Sequence, residues 1–268
     1  MTTQQPQRAE PQKVATPPVD HDAFARLLDS AKRNEAIIGL FLRGSRGKAF
    51  HEPGSDYDVT IVVKSREASP YPIGYSLNYR PGIDLFTQTL DEFRTCAAWM
   101  GPEHWARYSF AHVTALIDRS GEIQRLIEEK SLVPQDVRES FVEASIDAYL
   151  NAFYRSIKCR FRGNRLGGRL HASLSIPHLL DALFAIEGRV APYPDYVERE
   201  LMNYPLSTLA WTSNAILSAF RQIAETGSGP AQQELARFAA DHFQAGGFAH
   251  ICKGWGPDMN WAMSVSVL

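Results

Sequence analysis

The sequence has little cysteine and no long apolar run. Its three cysteines are widely spaced, form no C-x-x-C pair and have no clustered histidines beside them, which excludes a zinc-binding pattern and favours a reducing compartment. The apolar stretch 36–42 is far shorter than the roughly 20 residues of a membrane-spanning helix. The polar start of the chain also lacks the apolar core of a secretory signal. We therefore expect a cytoplasmic protein with no membrane partner.

The sequence also lacks an excess of positive charge. A formal net charge of -2 and a pI near 6.5 give no general attraction to a phosphate backbone, so nucleic acid is not an expected partner. The hydrophobic content of 44% is enough for a folded core. The polar, proline-rich residues 1–20 predict a disordered tail. No feature of the sequence predicts the oligomeric state.

Hydrophobic periodicity divides the chain into an α/β part and a helical part. Helical spacing predicts helices over 23–33 and 122–130, and short apolar or β-branched runs predict strands at 37–42, 57–63, 83–87 and 113–117. From Pro134 onward only helical spacing recurs, at 135–160, 170–187, 193–203, 206–226 and 231–243. The expected fold class is α+β, with a small mixed β-sheet and flanking helices in residues 21–132 and an all-α helical bundle in residues 133–268.

The most informative segment, residues 42–63, reads LRGSRGKAFHEPGSDYDVTIVV. It places Gly44-Ser45 directly after one predicted strand and Asp56-x-Asp58 at the start of the next. Alternate residues of a strand point to the same side, so Asp56 and Asp58 present two carboxylates on one face. Such a pair is costly without a cation between its members, and its oxygens suit Mg²⁺ together with substrate phosphates. Asp84 in the next predicted strand adds a third carboxylate if the strands are neighbours, and the alternative is an aspartate that caps the preceding turn.

The Gly44-Ser45 turn predicts a matching phosphate site. Glycine lets the backbone approach a phosphate, and Ser45 adds a hydroxyl donor. Arg43, Arg46 and Lys48 cluster around the turn and could neutralise charge on the β and γ phosphates of a nucleotide as pyrophosphate leaves. The segment does not fit a Walker loop, which requires the spacing G-x-x-x-x-G-K-[ST].

With Gly44, Ser45, Asp56 and Asp58 in this order, the segment resembles the nucleotidyltransferase superfamily with the polymerase-β-like fold, whose signature is Gly-Ser, a short gap and Asp-x-Asp. The resemblance implies that Asp56 and Asp58 bind Mg²⁺, and that Asp84 is a third metal ligand, the catalytic base or both. The order of domains is similar to that of bacterial aminoglycoside and lincosamide nucleotidyltransferases with a C-terminal helical domain. That similarity implies ATP or another nucleoside triphosphate as donor, two Mg²⁺ ions and an antibiotic-like acceptor.

The helical part carries further candidate ligands of both charges. Residues 155–169 contain six basic and no acidic side chains, and within this run Lys158 and Arg162 are predicted nucleotide contacts. The alternative is that these side chains form a solvated helix face. Lys158 is named first because the resemblance implies a lysine from this helix on the nucleotide. Asp181 and Glu187 are candidates for binding a cationic, aminoglycoside-like acceptor.

These patterns predict Mg²⁺-dependent transfer of a nucleoside monophosphate, AMP from ATP, onto a hydroxyl of a small molecule, with Asp84 as base. The sequence does not decide whether Asp84 or an acid of the helical domain is the base, and it does not identify the acceptor. One alternative is an antitoxin-like or regulatory module that binds nucleotide without turnover. Another is an enzyme that adenylylates protein or RNA, for which the basic run 155–169 is the support.

Overall fold

The computed structural model describes residues 19–208 and 211–267. It confirms the expected α+β fold class, with one five-stranded mixed sheet, flanking helices and a helical bundle. In the described part of the chain, no helix is both long and apolar enough to cross a membrane. Of the expected disordered tail 1–20, residues 1–18 lie outside the described ranges.

The chain forms two compact units, each made of two separate segments. The first unit ends at Arg94 and also includes Thr114–Gly121, and the second holds Thr95–Val113 and continues from Glu122. The sequence placed one boundary near residue 132 instead. The difference arises because Arg107 donates hydrogen bonds to the carbonyls of Glu129 and Leu132, at 2.6 and 2.7 Å, so segment 95–113 joins the helices that follow.

The first unit is built around the sheet. Its elements, with helix α3 crossing into the second unit at Thr95, are α1 (His21–Arg33), β1 (Ile37–Leu42), α2 (Gly44–Gly47), β2 (Tyr57–Val63), β3 (Gly74–Arg80), β4 (Ile83–Thr89), α3 (Leu90–Thr95) and β5 (Ala115–Asp118). The strand order is β3-β4-β2-β1-β5, in which β2 and β4 are parallel and the other neighbours are antiparallel. The parallel pair is what brings the starts of β2 and β4 to the same edge of the sheet.

Helix α1 covers the sheet with an apolar stripe. Asp20 caps its first turn by accepting a hydrogen bond from the Ala23 amide at 2.8 Å. Ala23, Leu27 and Ala31 are buried at helical spacing, together with the apolar side chains of the sheet. Phe24 stacks on Tyr57, the first residue of β2, with 4.2 Å between ring centroids. The stack fixes the start of β2, where the acidic pair lies.

In the described residues of the second unit the regular elements are helices, and one isolated β-bridge joins Leu132 to Arg189. After a 3-10 helix at His104–Phe110, its elements are α4 (Ile123–Ser131), α5 (Arg138–Phe161), α6 (Arg165–Ile186), a 3-10 turn at Pro194–Tyr196, α7 (Val197–Asn203), α8 (Ser213–Thr226), α9 (Gly229–Ala245), α10 (Ala249–Gly254) and α11 (Gly256–Ser264). The two long helices α5 and α6 meet at Gly168, whose carbonyl accepts a hydrogen bond from the Ser156 hydroxyl at 2.8 Å. A β-carbon on Gly168 would lie 2.6 Å from Cγ of Arg160, so this close approach requires glycine.

A buried carboxylate joins segment 95–113 to helix α7. Glu200, 1% exposed, accepts hydrogen bonds from the Tyr108 hydroxyl at 2.7 Å and from Arg189 at 2.5 Å, and pairs with His112 Nε2 at 2.8 Å. Burial opposes the ionisation of Glu200, but the hydrogen bonds from His112 and Tyr108 outweigh it and hold its pKa below the ordinary value. The charged form is therefore part of the folded structure.

Candidate metal and nucleotide site

Three carboxylates converge at one edge of the sheet. Asp58 and Asp84 are direct partners in the register of the parallel strands β2 and β4, and Asp56 directly precedes β2. One ligand oxygen from each of the three lies within 4.8 Å of the others. The expected grouping of these residues is therefore present, and it follows from the β2–β4 pairing.

The charges of this cluster oppose one another. Burial is the main cause that raises the pKa of Asp58 above its ordinary value, followed by the charge of Asp56, while Asp84 adds to it. Arg43 acts in the opposite direction. A bound cation would remove the penalty, and three hard oxygen donors in this arrangement fit Mg²⁺.

Asp84 is fixed by the edge strand β3. Its Oδ2 accepts a hydrogen bond from the Tyr75 hydroxyl at 2.9 Å, and its Oδ1 accepts one from the Asn78 amide at 2.7 Å. Asn78 has a φ of +47°, within an irregularity of the β3–β4 register that turns its amide toward Asp84. Burial first, and then the hydrogen bond to Asp84, raises the pKa of Tyr75 to about 12. Tyr75 is therefore a hydrogen-bond donor to Asp84 at neutral pH.

The glycine–serine turn lies directly against the acidic cluster. Gly44 has a φ of +58°, and a β-carbon built on it would lie 1.9 Å from Oδ2 of Asp58. The amide of Arg43 donates a hydrogen bond to the Asp58 carbonyl at 2.8 Å, which joins the turn to β2. Within residues 19–208 and 211–267, the hydroxyl of Ser45 has no hydrogen-bond partner. The turn therefore offers an unused hydroxyl beside carboxylate oxygens.

The basic residues of this segment differ in what they contact. Arg46 donates to the carbonyl of Ser55 at 2.6 Å and to that of Asp56 at 3.0 Å, and its guanidinium lies 4.0 Å from the Tyr57 ring centroid. Lys48 is 1% exposed. Arg46 is thus engaged with backbone carbonyls and Lys48 is buried, so neither side chain is readily available to contact a phosphate. Their role in nucleotide binding stays a prediction. Arg43 is the cation whose charge acts on Asp58.

The predicted basic and acidic ligands of the helical unit line different cavities or loops. Lys158 and Arg162 line one cleft of about 300 Å³ together with Arg155 and His171, and the described residues of its lining include no acid. Their contact with a nucleotide stays a prediction.

The two acids suggested for a cationic acceptor have different surroundings. Asp181 lines a different, larger cavity in the same unit. Glu187 accepts hydrogen bonds from the amide and the hydroxyl of Thr208, both at 2.9 Å, and from the hydroxyl of Ser207 at 3.2 Å. Burial opposes its ionisation, but these hydrogen bonds lower its pKa, so Glu187 holds the 207–208 turn.

Sequence reasoning missed the residues that orient the cluster. Tyr75 and Asn78 lie on β3, which was not predicted as a strand. The alternation of Tyr75, Leu77 and Tyr79 was the available signal for this strand.

No protein-family model matches the chain, and no curated protein sequence matches it. Among solved structures, it is similar to a nucleotidyltransferase-like protein from Exiguobacterium sibiricum 255-15, with a TM-score of 0.40 and 12% identity. The similarity covers 90% of this chain and 77% of that one. A similarity at this level identifies neither a substrate nor an activity.

Proposed function

We propose that this protein is a Mg²⁺-dependent nucleotidyltransferase that transfers AMP from ATP to a hydroxyl group of a small acceptor. The observation that carries the proposal is the placement of three carboxylates within 4.8 Å of one another, against a glycine that has no room for a β-carbon. Carboxylate oxygens and a close backbone turn are the two parts needed to hold divalent cations and a triphosphate.

The acidic residues would have two different roles. Asp56 and Asp58 would hold Mg²⁺, which when bound supplies positive charge beside the phosphates. Asp84 would accept the proton of the acceptor hydroxyl, because its two hydrogen bonds fix its orientation and each oxygen keeps a second lone pair. The hydroxyl oxygen then attacks the α-phosphorus, and pyrophosphate leaves.

The glycine–serine turn would position the nucleotide. The Ser45 hydroxyl is unpartnered within the described ranges and can donate to a phosphate oxygen, and Gly44 lets the chain pass close to Asp58. Arg43 would offset negative charge near Asp58. Arg46 would act mainly by fixing the carbonyls of Ser55 and Asp56, and hence the approach to the acidic pair.

The test is to incubate the protein with labelled ATP, Mg²⁺ and a panel that includes aminoglycosides, lincosamides, RNA and proteins. We expect a small-molecule hydroxyl acceptor to gain the mass of AMP with stoichiometric release of pyrophosphate. Asp58→Asn should abolish transfer, whereas Asp29→Asn, an exposed acid of α1, should not change it. Label on RNA or protein alone would support the adenylylating alternative, and nucleotide binding without turnover over the whole panel would support a regulatory module.

A further inference from the structure

The second unit contains a cavity of about 950 Å³ with mainly apolar walls. Helices α6 and α8, segment 99–108 and residues 190–198 contribute to its lining. Its aromatic residues are Trp99, Trp105, Tyr108, Phe141, Tyr193 and Phe220. A space of this size and composition is typical of a binding site for a small organic molecule.

One carboxylate in this lining has no partner. Asp181 makes no hydrogen bond and no ion pair with any residue in the ranges 19–208 and 211–267. Burial alone raises the pKa of Asp181 to about 6, with no contribution from a neighbouring charge. At neutral pH the group is therefore a negative charge in an apolar cavity, which is unfavourable unless a cation neutralises it.

The other charged residues that line the cavity are already compensated. Arg221 pairs with Glu198 at 2.7 Å. The guanidinium of Arg107 donates to three backbone carbonyls, at 2.6 to 2.9 Å. His104 is also in the lining, and burial, followed by the charge of Arg107, lowers its pKa. Asp181 is thus the uncompensated charge among the described residues of this lining.

Helix α6 adds a second hydrogen-bond acceptor on the same face. Ser173, Pro177 and Asp181 follow one another at intervals of four residues, and all three line the cavity. Because Pro177 has no N–H, the carbonyl of Ser173 lacks the donor that a regular helix would supply. Ser173 and Asp181 are eight residues apart, about 12 Å along the helix, so this carbonyl is an acceptor for a second polar group of a bound ligand.

We propose that this cavity binds a small organic cation with an apolar or aromatic body, whose charged nitrogen pairs with Asp181 and whose body packs on the aromatic walls. Aromatic faces attract cations, so Tyr193 and Phe220 favour the same class of ligand. A single carboxylate and apolar walls do not suit an aminoglycoside, whose many amino and hydroxyl groups need many polar partners. The inference does not depend on the nucleotidyltransferase activity, because it uses no residue of the acidic cluster.

The experiment compares probes of the same shape and opposite charge. We would measure by calorimetry the binding of naphthylmethylammonium against naphthylacetate, and of phenethylammonium against phenylpropionate, without nucleotide. The wild type should bind each cation at least about tenfold more tightly than its anionic counterpart. Asp181→Asn should weaken cation binding at least about tenfold and remove the charge selectivity, and it should fold because it removes an unpartnered charge.

Two further variants make the result specific. Glu198→Gln should keep the selectivity, because the charge of Glu198 is already paired with Arg221. Ala191→Trp should weaken binding of both probe signs by filling the cavity, and the results should be the same in an Asp58→Asn background. Equal affinity for cation and anion, selectivity that survives Asp181→Asn, or no binding of any probe would each overturn the proposal.

Discussion

The backbone of Gly44 lies against the carboxylate of Asp58, so closely that a β-carbon on Gly44 would stand 1.9 Å from Oδ2 of Asp58. Two constraints therefore act on one residue, since the φ of +58° also disfavours any L side chain. A change in the Gly44 turn therefore also changes the position of the Asp58 carboxylate.

Replacing Gly44 by alanine should displace the Asp58 carboxylate. We expect a loss of about 1 to 3 kcal/mol in the free energy of unfolding, from the left-handed backbone and the steric conflict. Transfer activity should fall about a hundredfold, because a shift of about 1 Å in a catalytic group has an effect of that size. Gly54→Ala is the control, since a β-carbon there has nothing within 4 Å. Equal activity of Gly44→Ala and Gly54→Ala would show that the close approach of Gly44 to Asp58 is not needed for transfer.

The hydrogen bond from Tyr75 to Asp84 should matter for rate and not for folding. Tyr75→Phe removes the hydroxyl that donates to Asp84 Oδ2 at 2.9 Å, and Tyr75 is 53% exposed, so little packing is lost. We expect kcat to fall about three- to tenfold, with thermal stability almost unchanged. Tyr79→Phe, at a tyrosine of the same strand that packs against the core of the sheet, should leave kcat unchanged. If both variants behave alike, Tyr75 does not orient Asp84.

Glu200 should contribute acid-sensitive stability. Its pKa is lowered in the folded state, so its contribution is present above its ordinary value of 4.5 and is lost as the pH falls below it. Glu200→Gln should lower the free energy of unfolding at neutral pH by about 2 to 4 kcal/mol, because it breaks a buried network. Glu198→Gln, whose side chain is 64% exposed, should cost less than about 1 kcal/mol. Chemical denaturation at several pH values measures both, and a pH-independent difference between wild type and Glu200→Gln would contradict the assignment.

Asp181 should have the opposite pH dependence. Its pKa is raised from 3.8 to about 6, so the folded state holds the proton more tightly and the protein loses stability as the pH rises through this window. Asp181→Asn removes this loss. The free energy of unfolding of the variant relative to wild type should therefore rise by about 2 to 3 kcal/mol between about pH 4 and pH 7.5. A difference that does not change with pH would mean that Asp181 is not desolvated.

Much of the sheet could be predicted from the sequence, because its central strands are short apolar runs with clear ends. The predicted strands 37–42 and 57–63 coincide with β1 and β2, and 83–87 covers most of β4. The edge strand β3 was missed because most of its residues are exposed and no apolar run marks it. Helix α8 begins at Ser213, not 206, because the Thr212 hydroxyl caps it.

The acidic cluster could be predicted because its members lie at the starts of recognisable strands. Its environment could not. The backbone contacts of Arg46 and the burial of Lys48 depend on how the loop 48–56 folds back, which no spacing in the sequence reveals. The cavity around Asp181 combines residues from 99–108, 133–141, 173–181, 190–198 and 217–224, so the unpartnered carboxylate is visible only in the assembled structure.

The most direct test of the central claim is a titration of Mn²⁺, as a spectroscopic substitute for Mg²⁺, in the presence of a non-hydrolysable ATP analogue. The account predicts saturable Mn²⁺ binding to the wild type that is strengthened by the analogue and weakened at least about tenfold in Asp58→Asn. Asp29→Asn should bind as the wild type does. No Mn²⁺ binding to the wild type, or equal binding to Asp58→Asn, would contradict the assignment of the three aspartates to a metal and nucleotide site.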